Sequence, residues 1–305
     1  MKKYILKILL FFGIVAVVDF GFGITCEWLQ NHAKGGRMKG VRQSAIIQTA
    51  DIVIMGSSRA HHHYVPSVIT KRTGMTSHNA GVNGNGIVLV SGLFDLMEER
   101  YTPKVVLYDV TPAFDFNVYT EDGNNTRYIG WLRPYYWQQQ VKKIVCRVNS
   151  SERYKNFSMM FRYNSKIADL LKDQVVTSDY TKDGYAPLKG KMKSPPQQKT
   201  GNVEIVQDTL KYHMMEEFIA KLSKSDSRLI MIASPRYGVT TSDVFEPIKA
   251  LCKKYGVEFW DYYCASDFQK MDYFKESMHL NDTGAKVFSE FIAEKLVSGN
   301  ILLHN

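Results

Sequence analysis

The chain has 305 residues, 45% hydrophobic and 23% charged, an ordinary globular balance that excludes wholesale disorder. That length accommodates one large domain plus an anchor or insertion, and no repeat appears at solenoid periods. The formal net charge of +9 permits an anionic partner. The basic residues read as scattered, however, and no nucleic-acid motif accompanies them, so a solvated surface is the plainer reading and no nucleic acid is expected.

Lys2, Lys3 and Lys7 precede the uncharged run Ile8–Val18, and a second apolar stretch follows from Phe20. Together they approach the roughly 20 residues that cross a bilayer, with Asp19 as the one interruption. Residues 1–27 are expected to form a single-pass signal anchor that places the rest outside the cytoplasm at the cell membrane. Cleavage after the small residues Gly21 or Gly23 would instead release a secreted or periplasmic protein. Lys34, Arg37, Lys39 and Arg42 follow the segment, but long domains translocate largely regardless of such flanking charge. Residues 28–48 read as a basic linker. Cys26, Cys146, Cys252 and Cys264 form no CxxC pair and no zinc spacing, so neither a structural metal nor a cofactor is expected. A Cys252–Cys264 disulfide is compatible with export.

From residue 49 to 305 the pattern is that of one α/β domain. Asp51–Met55 is a continuous apolar run ending in Gly56-Ser57-Ser58, as a buried parallel strand would be. A helix is predicted over 87–100, a strand over 104–110, a helix over 206–224 and a strand over 228–233. A helix over 245–255, a strand over 257–261 and a helix over 282–297 complete the series. Strands alternating with helices at this spacing predict a three-layer α/β/α fold around a central parallel sheet. Residues 114–202 break the rhythm with polar, aromatic and turn-rich sequence, and are expected to be an insertion with structure of its own. Its aromatic run contains Trp131 and Arg133. Those side chains either stack on sugar rings or build the insertion's own core, and the second is the plainer use.

Ligands of open parallel sheets bind at the carboxyl ends of the strands. The first strand ends at Ser58, whose hydroxyl would start a helix; serine is also a common helix cap there. Near the other end of the chain, His279 follows the carboxylate of Glu276 by three residues, just before the last helix. A carboxylate so placed can orient an imidazole, whose other nitrogen can accept a serine proton. Packing at the helix start is the alternative use of that histidine. Arg59 and His61-His62-His63 follow Ser58 directly. Three consecutive histidines point to different sides of a helix, which argues against one metal held by all three, whereas His62 or Arg59 could touch a substrate.

The Gly-x-Ser turn at Gly56–Ser58, Asn79-Ala-Gly81, and Glu276-Ser-Met-His279-Leu-Asn281 before an amphipathic helix resemble the SGNH (GDSL-like) hydrolase superfamily. The resemblance covers about 51–112 and 228–297 and is most specific from Glu276 to Phe288. It implies a flavodoxin-like layered fold with Ser58 as nucleophile, His279 as base and Glu276 in the position usually held by aspartate, with Asp272 in reserve. It also implies an oxyanion hole from the backbone of Ser58 and Gly81. The family's Gly-x-Asn-Asp block is replaced here by Tyr108-Asp109-Val110-Thr111-Pro112, so Asn83 or Asn85 would have to supply the side-chain donor. With the anchor, the resemblance implies an esterase or O-acyltransferase on acyl, chiefly acetyl, esters of an envelope or secreted glycan. A non-catalytic glycan-binding or assembly protein on a degenerate scaffold is the alternative.

Overall fold

A computed structural model describes residues 1–119, 123–176, 182–195 and 206–299. The chain opens with a long helix, α1 (Lys2–Asn31), followed by α2 (Gly36–Arg42) and a π-turn over Gln43–Ile47. Strand β1 (Ile52–Gly56) leads into α3 (Ser58–His63) and α4 (Pro66–Thr73), then the short β2 (Ser77–Asn79), α5 (Ile87–Glu98) and β3 (Val105–Asp109). Small helices follow: α6 (Pro112–Asp115), α7 (Thr126–Ile129), α8 (Gln139–Val148), α9 (Glu152–Lys155), α10 (Met159–Tyr163) and α11 (Ile167–Lys172). The α/β series then resumes with α12 (Thr209–Leu222), β4 (Arg228–Ala233), α13 (Glu246–Tyr255) and β5 (Glu258–Asp261). A hairpin, β6 (Phe274–Glu276) and β7 (His279–Leu280), precedes α14 (Asp282–Ser298).

The chain divides into two compact units. The larger comprises 43–124 and 179–305, and its described strands form a parallel sheet in the order β2-β1-β3-β4-β5. β1, β3 and β4 are buried along nearly their whole length, which is why they read as continuous rather than alternating apolar runs. One core of this unit collects Ile52, Ile54, Leu107, Ile230 and Ile232 from the strands with Phe288, Ile292 and Leu296 of α14. The fold is therefore α/β with a central parallel sheet, as predicted, and the predicted strand and helix boundaries agree to within about three residues. β2 was not predicted. Its three residues, Ser77-His78-Asn79, are buried but carry no apolar pattern, and they are held by pairing with β1.

The smaller unit comprises 1–42 and 125–178, which corrects the expected division. The long apolar helix, expected as an anchor over 1–27, runs to Asn31, and the expected linker is helical from Gly36 to Ile47. Asp173 explains part of this: its carboxylate accepts the Met38 N–H at 2.9 Å and its carbonyl the Lys34 N–H at 2.8 Å, fixing the basic segment. The excursion is also narrower than 114–202. It spans 125–178; residues 182–195 already belong to the larger unit, within which Asn117 and Gln207 form an antiparallel bridge.

The charge is not scattered. The smaller unit holds 17 Lys and Arg against 5 Asp and Glu, while the larger holds 22 against 25, so all the excess positive charge lies in the smaller one. The four cysteines are free, so the Cys252–Cys264 disulfide is not formed; Cys252 is buried in α13.

His62, His63 and His78 are all buried, and burial lowers their imidazole pKa values, that of His78 to about 4. The unfolded chain takes up these protons near pH 6.5, while the folded chain resists. Stability is therefore present above that pH and is lost as pH falls from about 6.5 toward 4. His78 alone accounts for on the order of 3 kcal/mol at the acid end. Thermal melting at pH 7.5, 6 and 4.5 should show a steep acid decline that His78→Leu makes shallower.

Candidate active site

Ser58 and His279 stand 221 positions apart, and the fold brings them to the carboxyl end of the sheet. Gly56 makes the first placement possible. Its φ is +135°, and a Cβ there would lie 2.5 Å from the Asp109 carbonyl of β3, so only glycine lets β1 turn abruptly into α3. Ser58 is the first residue of α3, where helix geometry leaves its backbone N–H without an intrahelical acceptor.

His279 enters from the β6–β7 hairpin, where it pairs with Glu276. The sequence placed it only just before the last helix; the hairpin explains why the three-residue spacing works, since the turn folds Glu276 back onto the imidazole. The hairpin is fixed on both flanks, by Tyr237 N–H to Ser277 O at 2.9 Å and Met192 N–H to Phe274 O at 2.7 Å. Asn281 then caps α14, accepting the Gly284 N–H at 3.0 Å and donating to the Asp272 carbonyl at 2.7 Å.

The Ser58 hydroxyl lies 2.7 Å from His279 Nε2, and His279 Nδ1 is hydrogen-bonded to Glu276 Oε1. With Nδ1–H donated to the carboxylate, Nε2 is left to accept the serine proton. Glu276 is held in turn by the Met278 N–H on Oε2 at 2.8 Å. Partial burial alone would raise the Glu276 pKa, but the hydrogen bonds from His279 and Met278 and the His279 charge carry it below the usual value. Glu276, not Asp272, orients the ring; Asp272 is exposed and paired with Lys191.

Beneath this trio runs a chain of buried polar groups. His63 Nε2 accepts the Leu280 N–H at 3.0 Å, so its proton sits on Nδ1 and is donated to Ser234 Oγ at 2.9 Å. Burial pushes the His63 pKa well down, which keeps it neutral. Ser234 hydrogen-bonds Asp109, which also accepts from Tyr64 Oη at 2.7 Å and lies 3.4 Å from Arg59 Nε. Arg59 reaches the carbonyls of Ser234 and Val110 and lies over the ring of Tyr263. Arg59 was expected as a substrate contact; at 3% exposure it instead ties α3 to the ends of β3 and β4. No signal marked this, because a buried arginine and an exposed one look alike in sequence.

The remaining expected residues divide. His62 donates Nδ1–H to the Ala186 carbonyl at 2.7 Å and packs edge-on against His279, with ring centroids 5.6 Å apart. It flanks His279, and the segment around Tyr185 returns alongside α3, as Ala186 N–H to His61 O also shows. The Gly81 N–H is already donated to Asn79 Oδ1 at 3.0 Å, a correction to its expected oxyanion role. Asn83 lies beside Val82, whose N–H bonds Gly56 O at 3.0 Å. Its Oδ1 is buried without a partner among the described residues, but as an acceptor it cannot serve an oxyanion, so only the Nδ2 amide of Asn83 could donate there. Asn85 donates to the Asn83 carbonyl. Trp131 and Arg133 belong to the smaller unit. Trp131 is buried under Lys166, and Arg133 forms a two-pronged pair with buried Glu152 at 2.9 and 2.8 Å, so both are committed to that unit's core.

Among the described residues no cluster of three or more His, Cys, Asp or Glu is placed to hold a metal. A cavity of about 410 Å³ lined by Met75, Lys104, Ser225 and Arg228 lies at the opposite, amino end of the strands, away from the trio. Compared with known family models and with curated proteins, the chain matches none.

Removing the Arg59 side chain strands Asp109 in a dry site. Arg59→Ala should destabilise the protein by about 3–5 kcal/mol, read as a fall in melting temperature. Arg59→Lys should restore little, because one ammonium cannot replace the guanidinium's several donors.

Proposed function

We propose that the chain is a membrane-anchored, extracytoplasmic serine esterase or O-acyltransferase of the SGNH type, acting on acyl esters, chiefly acetyl, of an envelope or secreted glycan. The observation that carries this reading is the relay from Ser58 Oγ at 2.7 Å to His279 Nε2 and on to Glu276. Ser58 attacks the ester carbonyl while His279 takes its proton. Glu276 stabilises the imidazolium that forms. The Ser58 N–H, with the Nδ2 amide of Asn83, donates to the developing oxyanion. His279 then returns the proton to the leaving alcohol, and water or a sugar hydroxyl, activated by the same imidazole, resolves the acyl-enzyme.

Parallel strands, the turn at Gly56 and the α14 cap at Asn281 support the SGNH assignment, because they are the parts that motif requires. A helix long and apolar enough to cross a membrane supports the anchor, and so does its packing. Cys26 and Gln30 of α1 are buried within the smaller unit, so cleavage after Gly23 would cut through an integral helix.

One observation favours a non-catalytic glycan-binding protein on the same scaffold: with Gly81 committed to Asn79, fewer donors face the oxyanion. A serine-reactive fluorophosphonate separates the two. The wild-type chain should be labelled at Ser58 and should cleave an activated acetyl ester, and Ser58→Ala should lose both; unlabelled wild type would sink the enzyme reading. Glu276→Gln keeps the size but no longer holds the imidazolium, and should lower turnover by about 10³–10⁴-fold with labelling slowed in parallel.

A further inference from the structure

The smaller unit has a surface that the catalytic reading leaves unused. Asp19, the one charge inside the apolar stretch of α1, is not exposed to the surroundings of that helix. Its carboxylate accepts from Ser158 Oγ at 2.6 Å, Met159 N–H at 2.7 Å and Met160 N–H at 3.0 Å, and so caps α10. One turn further along α1, Gly23 lets the α10 backbone approach closely, since a Cβ there would fall 2.5 Å from that of Met159. The start of α10 is thereby clamped to α1 at the level of residues 19–23.

That level can be placed against a bilayer. A span of about 20 residues opening at Tyr4 closes at Gly23, and one opening after Lys7 closes at Glu27. On either count Asp19 and its partners lie inside the span, at least about 6 Å below its end. A carboxylate at that depth is tolerated when protein groups satisfy it, as these do. The side chains beside the clamp have matching chemistry. Phe157 is 70% and Met160 44% exposed, and Tyr154 and Trp137 are exposed as well, while Arg153 and Lys155 among them face solvent. Residues 125–178 carry ten Lys and Arg against three Asp and Glu.

We propose that the Arg153–Met160 segment is seated in the polar–apolar boundary of an anionic phospholipid leaflet. Phe157 and Met160 lie among the acyl chains, Tyr154 and Trp137 at headgroup level, and Arg153 and Lys155 on lipid phosphates. Amphipathic surfaces of this composition bury their apolar face by roughly 5–10 Å, which agrees with the depth set by Asp19. The proposal rests on α1 being retained as a membrane span.

The test uses the full chain in nanodiscs of equal phosphatidylcholine and phosphatidylglycerol. A photoreactive benzoyl-phenylalanine replaces Phe157, Met160 or, on the exposed face of α1, Val17, and adducts are read by intact mass. One phospholipid added at 157 and at 160 supports the proposal. An adduct at Val17 with none at 157 and 160 overturns it while leaving the span intact, and no adduct at any of the three overturns both. Adducts should favour phosphatidylglycerol by about fivefold per basic residue, and Arg153→Gln with Lys155→Gln should remove that preference. Equal labelling of the two lipids in the unsubstituted background overturns the anionic recognition.

Discussion

Arg59 and Asp109 are buried together where three strands end, and the carboxyl end of the sheet, where Ser58 and His279 meet, is built on that pair. Burial raises the Asp109 pKa despite the nearby guanidinium and the hydrogen bonds from Ser234 and Tyr64. Two such groups are expensive to hold in a dry interior, and the cost is recovered only when every donor and acceptor is used. The structure uses many of them, but Arg59 Nε and Asp109 Oδ1 face each other at 3.4 Å as an ion pair without a hydrogen bond. Arg59 fixes α3, and with it Ser58, to β3 and β4, while the same network reaches through Ser234 and His63 to the backbone of Leu280. Ser58 and His279 are positioned by one connected set of bonds, so a disturbance under one is felt by the other.

Much of this was legible in the sequence. The core strands announced themselves as unbroken apolar runs, and the Glu276–His279 spacing predicted the orientation of the imidazole. The buried network was not legible. Arg59, His63 and Asp109 differ from surface residues only in what surrounds them, and nothing local encodes that Ser234 will meet His63 across the sheet. Gly81 failed for a related reason: a backbone N–H looks available until a neighbouring side chain, here Asn79, takes it. β2 escaped because strand pairing rather than apolar pattern holds Ser77–Asn79.

The smaller unit shows tertiary context overriding composition. Residues 28–48 had a linker's basic, glycine-containing character, yet Asp173 supplies the acceptors that order them. Asp19 looked like a flaw in a membrane segment and proves to be a helix cap whose partners lie some 140 positions away. The charge reads differently too: an even spread along the sequence becomes strong asymmetry once the chain divides, because the two basic stretches fold together.

The distance between Ser58 and His279 along the chain has a consequence for biosynthesis. The serine is made early, whereas its histidine arrives on the hairpin that precedes the final helix, and that helix packs into the same core as the first strand. A contact so remote in sequence forms late, after almost the whole chain has emerged. Until that helix docks, the Ser58 hydroxyl has no imidazole within reach, and the hydrogen bond between the two side chains is completed only with the last core contacts. A chain stopped before the β6–β7 hairpin would carry Ser58 without its imidazole partner.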